Sequence, residues 1–297
     1  MRRLIVLSVL VALGSAATVL SSAGFQAPPP AQAAKVVTLQ KVTSTLYVAT
    51  GGGGNSAIFI TDLGVVLVDT KLAGWGQPLL DKIKTITSKP VTTIINTHAH
   101  GDHVGSNEFF GTAVEIVAHE NTRLTMDKMD AFKGDKVNYL PKLMFRDRMT
   151  LGAGRDKIDL YYFGRGHTNG DAWVVFPAAR VVHAGDMFAG MGLPIIDTGN
   201  GGSGLAYPET LAKAADGIAN VDTIITGHGA LTPWKELHTY AEFTRDFREA
   251  VVNGFDHGLG VSEIAAGWSL PAKYAGYSAA PDRLKADVEA IVGELSR

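Results

Sequence analysis

Six consecutive positions concentrate side chains that bind divalent metal ions. The motif reads His98-Ala-His100-Gly-Asp102-His103 and follows the apolar run 92–96. Imidazole and carboxylate groups suit zinc and related ions, and four of them at the end of one strand can supply ligands to two neighbouring ions. The motif therefore predicts a metal site rather than a polar loop in which histidines cluster by chance.

Three later segments each place one further metal-binding side chain after an apolar, strand-like run. These side chains are His167, Asp186 and His228. The chain contains no cysteine, so every metal ligand must offer nitrogen or oxygen. The order of the seven residues resembles that of the metallo-β-lactamase superfamily of binuclear metallohydrolases, and the resemblance covers about residues 42 to 232.

The resemblance implies two sets of metal ligands that share one carboxylate. The sets are His98, His100 and His167 for the first ion, Asp102, His103 and His228 for the second, and Asp186 as the bridge. The resemblance also implies two zinc ions per chain, with iron or manganese as alternatives, and a metal-bound hydroxide that attacks a carbonyl carbon. Asp102 is expected to act both as a ligand and as the acceptor of the proton released during the reaction.

Two residues outside the predicted ligand sets are candidates for supporting the site. Asp69 ends an apolar strand, where a buried carboxylate is costly without a partner. Metal-binding histidines usually donate their other ring N–H to a carboxylate or carbonyl, so Asp69 is predicted to orient one of them, with a helix cap or turn as the alternative. His183 either supports the site or is a hydrogen-bonded core residue. The remaining histidines are not predicted ligands: His119, His238 and His257.

Composition and charge narrow the class of partner. The chain has 297 residues, 46% of them hydrophobic, and a formal net charge of -2, which fits one sizeable globular domain and gives no basic surface for nucleic acid. The glycine-rich segments 51–54 and 199–204 are not followed by Lys-Ser or Lys-Thr, so a phosphate-binding P-loop is not predicted. A small-molecule substrate is expected, and the oligomeric state stays open.

The N-terminus carries the features of a secretory signal peptide. Arg2-Arg3 precedes the apolar stretch 4–13, and Ala31-Gln-Ala33 is a suitable cleavage site. The apolar stretch is short for a transmembrane helix, which needs about 20 residues. We therefore expect cleavage after Ala33, no stable membrane insertion afterwards, and a periplasmic or secreted enzyme. Export by the general or by the twin-arginine route stays open.

Two rounds of strand-like and helix-like runs predict a mixed α/β fold. Three short strands, a helix over 75–87 and a buried strand over 91–95 lead to the histidine motif, and the second half repeats this logic. Past Pro233, two amphipathic stretches predict a C-terminal helical tail. The resemblance implies a four-layered αββα sandwich whose metal-binding loops meet along one edge. The predicted divisions are a signal peptide (1–33), a metallo-β-lactamase-like domain (34–232) and a helical extension (233–297).

Aspartate at the bridging position bears on the expected substrate. The resemblance is to the branch that contains glyoxalase II and lactonases, which implies a secreted zinc-dependent hydrolase acting on an ester, thioester, lactone or similar carbonyl. β-Lactam hydrolysis is the first alternative. A second is iron-dependent sulfur dioxygenation, in which one iron would be held by His98, His167 and Asp186. A non-catalytic metal-binding module is the third, since one fold hosts many functions.

Overall fold

Short apolar strands in the two halves of the chain pair into two separate sheets. The computed structural model describes residues 34–297, and the predicted signal peptide lies outside them. The first sheet contains, in order across the sheet, β1 (Thr38–Lys41), β2 (Leu46–Thr50), β3 (Ser56–Ile60), β4 (Val65–Val68), β5 (Val91–Asn96), β6 (Glu115–His119) and β7 (Leu143–Phe145). The second contains β8 (Arg148–Leu151), β9 (Ile158–Tyr161), β10 (Trp173–Phe176), β11 (Val181–His183), β12 (Thr223–Ile225) and β13 (Thr232–Pro233), which again are neighbours in chain order.

Parallel pairing in the middle of each sheet decides where the functional loops emerge. Strands β4 to β7 pair in parallel, whereas β1 to β4 pair antiparallel. In the second sheet β11 and β12 are parallel and the other pairs are antiparallel. Parallel neighbours end at the same edge of a sheet, which is where α/β folds commonly bind ligands. The loops after β4 and β5, and those after β11 and β12, therefore emerge side by side.

The two sheets pack face to face because successive apolar side chains point to opposite faces of each strand. In β5, Ile95 belongs to the core between the sheets. Its neighbour Ile94 belongs to the outer core, together with Leu79 of helix α1 (Gly76–Lys84). Across the inner core, the rings of Phe59 and Phe176 have centroids 5.0 Å apart. Both faces of the first sheet are thus covered, which explains why its central strands are almost entirely apolar.

Helices from the second half of the chain cover the outer face of the second sheet. They are α4 (Tyr207–Gly217), α5 (Glu236–Asp256), α6 (Val261–Gly267) and α7 (Pro281–Leu295), and they follow the shorter helices α2 (Gly101–Val104) and α3 (Glu120–Met126) of the first half. Buried residues recur every three or four positions in α5, among them Tyr240, Phe243 and Phe247, and they share a core with Trp173 of the sheet. The layers are therefore helix, sheet, sheet and helix. The predicted αββα sandwich and the C-terminal helices are confirmed.

Two details of the helices differ from the expectation. The helix predicted over 75–87 ends at Lys84, where the Thr85 hydroxyl donates to the carbonyl oxygen of Lys82, 2.7 Å away. Helix α6 lies between the two amphipathic stretches, where no helix was predicted, and it packs on the core through Ile264. Among the residues that the structure describes, no helix combines the length and the apolar character needed to cross a membrane.

Candidate metal centre

The histidine motif starts two residues after β5 and turns into the short helix α2 (Gly101–Val104). His98 precedes this helix, and His100 is its N-terminal flanking residue with an extended backbone. Asp102 and His103 lie within the helix. The end of a single strand therefore supplies four of the seven predicted ligands.

The first predicted ligand set gathers around one point. One donor atom from each of His98, His100, His167 and Asp186 lies within 4.8 Å of the others. His100 Nδ1 and His167 Nε2 are 3.0 Å apart. Asp186 Oδ2 lies 3.9 Å from His98 Nε2 and 3.7 Å from His167 Nε2. All four groups can therefore reach one ion.

The second predicted set lies beside the first. His103 Nε2 is 3.5 Å from Asp102 Oδ2 and 3.4 Å from His228 Nε2. Asp186 faces this set as well, since its Oδ1 lies 3.4 Å from His103 Nε2 and its Oδ2 lies 3.2 Å from His228 Nε2. The fold thus brings all seven predicted ligand residues together, with the Asp186 carboxylate between the two sets.

The chemistry of these side chains fits metal binding. Among the described residues, the buried atoms His98 Nε2 and Asp186 Oδ1 have no hydrogen-bond partner, and a polar atom left in that state costs about 1–3 kcal/mol. Burial and the neighbouring histidines hold the pKa of His98 well below its ordinary value, and burial also lowers the pKa of His167. Both rings are neutral at pH 7, so each offers a lone pair to a cation.

One buried carboxylate supports residues of both sets. Asp69 is fully buried, and its Oδ2 lies 2.7 Å from His103 Nδ1. The Thr97 hydroxyl donates to the same oxygen at 2.7 Å and lies 3.0 Å from His98 Nδ1. Thr97 therefore accepts the His98 N–H whenever the other ring nitrogen binds a metal ion. Asp69 has a φ of 60°, a conformation uncommon outside glycine, at the point where the chain leaves β4 and turns its carboxylate toward the histidines.

The other two histidines of the first set are oriented by the segment after Pro194. His100 Nε2 donates to Asp197 Oδ2 at 2.6 Å, and His167 Nδ1 donates to the Ile195 carbonyl oxygen at 2.6 Å. Burial opposes ionisation of Asp197, but its bonds to His100 and to a neighbouring amide lower its pKa. Asp197 was not predicted from the sequence, where its only signal is a polar residue after two isoleucines.

The end of helix α7 holds the loop that follows Asp197. Glu294 accepts the Ser203 hydroxyl at 2.5 Å through Oε2 and the Gly204 N–H at 2.6 Å through Oε1. Helix α7 therefore stabilises the loop next to Asp197, the residue that orients His100 of the first ligand set.

Asn55 and Lys71 connect the glycine-rich segment 51–54 to the second set. The Asn55 N–H donates to the Gly227 carbonyl oxygen at 2.6 Å, and its side-chain amide donates to the carbonyl oxygens on either side of the His228 turn, both at 2.8 Å. Lys71 Nζ is buried and donates to the Ala49 and Gly54 carbonyl oxygens, both at 2.6 Å. Burial lowers the pKa of Lys71 to about 7, against the attraction of nearby carboxylates.

Two glycines are required by the close approach of backbone to ligand side chains. A Cβ on Gly54 would lie 2.2 Å from the His103 ring, and a Cβ on Gly227 would lie 1.9 Å from Asp186 Oδ1. Segment 51–54 is therefore a packed wall of the site, and neither glycine can be replaced without moving a predicted ligand.

His183 lies behind the site, and among the described residues it makes no hydrogen bond to any of the seven predicted ligand side chains. Its Nε2 donates to the Asn55 carbonyl oxygen at 3.0 Å, and its Nδ1 accepts the Gly185 N–H at 3.1 Å. Burial lowers its pKa. The ring thus links the segment that holds Asn55 to the turn that carries Asp186.

Negative charge surrounds His103. Burial opposes the charged form of this ring, but the negative charges of Asp69 and Asp186 and the hydrogen bond to Asp69 outweigh burial and raise the pKa of His103 to about 10. Burial likewise opposes ionisation of Asp186, whose pKa is nevertheless held well below its ordinary value by the neighbouring charge of His103 and the hydrogen bond to His228. The two carboxylates flank His103 and favour a cation at this point.

Comparison with known proteins agrees with this geometry. Residues 49–228 match the family model described as the metallo-beta-lactamase superfamily, a match that covers more than half of the chain and all seven predicted ligands. The chain belongs to the metallo-β-lactamase superfamily. With the convergent histidine and aspartate side chains, this membership makes it a metal-dependent hydrolase.

Individual relatives match different shares of the chain. A metallo-beta-lactamase type 2 from Elizabethkingia meningoseptica is 26% identical over 220 residues, which cover 67% of this chain and 80% of the relative. A hydroxyacylglutathione hydrolase from Nostoc punctiforme is 27% identical over 153 residues, 50% of this chain and 51% of the relative. The solved structure of a metallo-beta-lactamase from Pontibacter korlensis has a TM-score of 0.62 at 21% identity, covering 70% of this chain and 99% of that one, and it shows the shared fold.

Proposed function

We propose that this chain is an exported, binuclear zinc hydrolase that acts on an ester, thioester, lactone or similar carbonyl compound. The observation that carries the proposal is the position of the Asp186 carboxylate, within 3.9 Å of imidazole nitrogens from both predicted ligand sets. A carboxylate in that place is suited to bridge two ions. The absence of cysteine leaves nitrogen and oxygen as donors, a set that zinc accepts.

Each ligand residue has a place in this proposal. His98, His100 and His167 would hold one ion, Asp102, His103 and His228 the other, and Asp186 would contact both. When bound, the ions would lower the pKa of a water molecule to about 7 and polarise the substrate carbonyl. Asp69, Asp197 and the Ile195 carbonyl oxygen hold the second ring nitrogens of the histidines, which fixes the ring orientation before substrate arrives.

Asp102 is the candidate for moving protons. Its side chain is 29% exposed, whereas that of Asp186 is 3% exposed. Asp102 therefore faces the region that substrate and solvent can enter, while Asp186 is enclosed by histidines. We assign Asp102 the role of accepting the proton released as the carbonyl is attacked or the tetrahedral species collapses.

The main alternatives differ in how many ions they require. A single iron held by His98, His167 and Asp186 would leave the convergence of Asp102, His103 and His228 unexplained, so the second set favours the hydrolase over the sulfur dioxygenase. β-Lactam hydrolysis stays the alternative substrate class, because the relative from Elizabethkingia meningoseptica is named for it. The bridging aspartate favours the broader carbonyl class.

The proposal extends to the organisation of the whole chain. Residues 34–232 would form the catalytic domain and residues 233–297 its helical extension, with a signal peptide over 1–33 directing export to the periplasm or beyond. N-terminal sequencing of the protein recovered from the periplasm or medium of its host tests this assignment. We expect the sequence to begin at Ala34, and recovery only of the full-length chain in the cytoplasm would contradict export.

Metal content and substrate turnover test the central proposal. Elemental analysis of protein purified from its native host is expected to give about two zinc ions per chain. A panel of thioesters, lactones, phosphoesters and β-lactams is then offered to the metal-loaded protein, and turnover is expected for the thioesters or lactones. One iron per chain without zinc would favour the dioxygenase, and bound metal without turnover of any carbonyl substrate would favour a binding module.

A further inference from the structure

A cavity beside His228 has walls from two distant parts of the chain. Its volume is about 330 Å³, and it is broadly open to solvent. One side is formed by His228 and the loop 189–195, and the other by Ser278 and Arg283 of the C-terminal extension. Because His228 is a predicted ligand of the second ion, this cavity adjoins the reaction centre.

Backbone hydrogen bonds fix both walls of the cavity. The N–H groups of His228 and Gly229 donate to the Ala189 carbonyl oxygen at 2.7 and 2.8 Å. On the other side, the Ser278 N–H donates to the Met191 carbonyl oxygen at 3.1 Å, and the Leu193 N–H donates to the Ser278 carbonyl oxygen at 3.0 Å. The loop 189–195 is therefore tied to both the metal centre and the C-terminal extension, which sets the place of Arg283 relative to His228.

Arg283 brings an available positive charge to this cavity. Its side chain is 38% exposed, and among residues 34–297 its closest acidic partner is Asp287, at 3.8 Å, which is too long for a hydrogen bond. Asp287 is buried, and burial raises its pKa to about 8 against the attraction of Arg283. An arginine guanidinium is always protonated in proteins, and burial that disfavours the charged form of Asp287 leaves this positive charge weakly compensated and available to a ligand.

Apolar side chains form much of the remaining wall of the cavity. Met191, Leu193 and Ile195 line it, and Met191 is 39% exposed. An aliphatic chain lying along these side chains would be removed from water. One end of that chain would lie near the predicted metal ions, and the other end would lie near the Arg283 guanidinium. Such a chain would carry a reactive carbonyl and an anionic group at its opposite ends.

We propose that this cavity is the substrate site and that Arg283 recognises a carboxylate on the acyl part of the substrate. The substrate class is then an ester, thioester or lactone whose carbonyl lies beside His228 and whose acyl chain, a few methylene groups long, ends in a carboxylate. This inference rests on the proposed hydrolase function, and it assigns the C-terminal extension a direct part in specificity. A guanidinium suits this role because its planar donors match a carboxylate.

Two esters of equal acyl length test the inference. Mono-p-nitrophenyl adipate and p-nitrophenyl hexanoate differ only in a carboxylate in place of the terminal methyl group. The metal-loaded Arg283→Gln variant is expected to show a KM for the adipate ester that is about tenfold higher, with kcat and the hexanoate kinetics nearly unchanged. Arg283→Lys is expected to recover part of the loss, since it keeps the charge without the planar donors. Arg245→Gln, an exposed arginine on α5 that does not line the cavity, serves as the control.

A binding measurement separates this inference from the proposed function. Calorimetric titration with 6-oxoheptanoate, which has the carboxylate and a carbonyl but no leaving group, is expected to show about tenfold weaker binding to Arg283→Gln than to wild type. If wild type hydrolyses neither ester, the hydrolase proposal fails for simple esters, while the titration still tests Arg283. If the hexanoate ester is hydrolysed but Arg283→Gln changes neither the adipate KM nor the affinity for 6-oxoheptanoate, the carboxylate site is refuted and the hydrolase stands.

Discussion

Replacing Asp69 by asparagine tests the support beneath both ligand sets. The carboxylate accepts the Thr97 N–H at 2.8 Å through Oδ1, and it accepts the Thr97 hydroxyl and the His103 N–H at 2.7 Å through Oδ2. Asparagine keeps one acceptor oxygen and replaces the other by an NH2 group, so at least one donor faces another donor in either orientation. Hydrogen bonds to a charged group contribute about 1.5–3 kcal/mol each, so we expect Asp69→Asn to lose about 2 kcal/mol or more of unfolding free energy.

The same change is expected to weaken metal binding. Loss of a partner behind a metal-binding histidine typically lowers affinity by about 10- to 100-fold. Because Asp69 bonds to His103 directly and to His98 through Thr97, both ligand sets are affected. Titration with zinc from a chelator buffer measures the two affinities, and urea denaturation of the metal-free protein measures stability separately.

Asp171 provides a matched control for this experiment. Like Asp69 it is buried, and it accepts the N–H and hydroxyl of one threonine, Thr168, at 2.8 and 2.6 Å. Among the described residues it makes no hydrogen bond to a site histidine. Asp171→Asn should therefore destabilise the fold while leaving zinc affinity largely unchanged. Zinc binding by Asp69→Asn as tight as that of wild type, or an equal loss in both variants, would refute the reasoning.

Three further predictions concern the proton acceptor, the support of the second set and a buried acid. Asp102→Asn is expected to abolish most turnover while retaining some bound zinc, and an undiminished kcat would exclude the proton role. Asn55→Ala removes two hydrogen bonds to the His228 turn, so we expect a loss of about 1–3 kcal/mol in unfolding free energy. We also expect the zinc content to fall toward one ion per chain. A variant that still binds two zinc ions would contradict the role of Asn55 in supporting the second ligand set. The folded-state pKa of Asp287, about 8, lies above its unfolded value, so wild-type stability falls by about 1.4 kcal/mol per pH unit from about pH 4 to pH 8 on account of this group. The unfolding free energy of Asp287→Asn relative to wild type should therefore increase from about pH 4 to pH 8 and stay constant at higher pH. Urea denaturation measures both free energies, and a difference between them that does not change over this pH range would refute the assignment.

The features that could be read from the sequence are those that leave a local pattern. His98, His100, Asp102 and His103 stand within six positions, so their chemistry is visible without a fold. The amphipathic periods of α5 and α7 likewise predict helices, because burial of one face repeats every three or four residues. The family resemblance then extended the motif to the single ligands that follow later strands.

The contacts that only the tertiary structure revealed join residues far apart in the chain. Asp197 lies 97 positions from His100, yet its carboxylate accepts the His100 N–H at 2.6 Å. Asn55 reaches the His228 turn across 171 residues or more. No sequence neighbour of either residue indicates that it supports a predicted ligand. The hydrogen-bond partner of each residue depends on the path of a distant loop, which is fixed only when the sheets and helices pack together.

The sequence by itself determined which chemistry this protein can perform, since residue type and the ends of apolar runs decide which donors are present and which strands deliver them. The tertiary structure decided how those donors are held. The buried turn at Asp69, the carbonyl oxygens around the His228 loop and the position of Arg283 in the wall of the cavity beside His228 all depend on packing between distant segments. Distances of that kind follow from the sum of many weak burial contacts across the whole core, and no short stretch of sequence encodes such a sum.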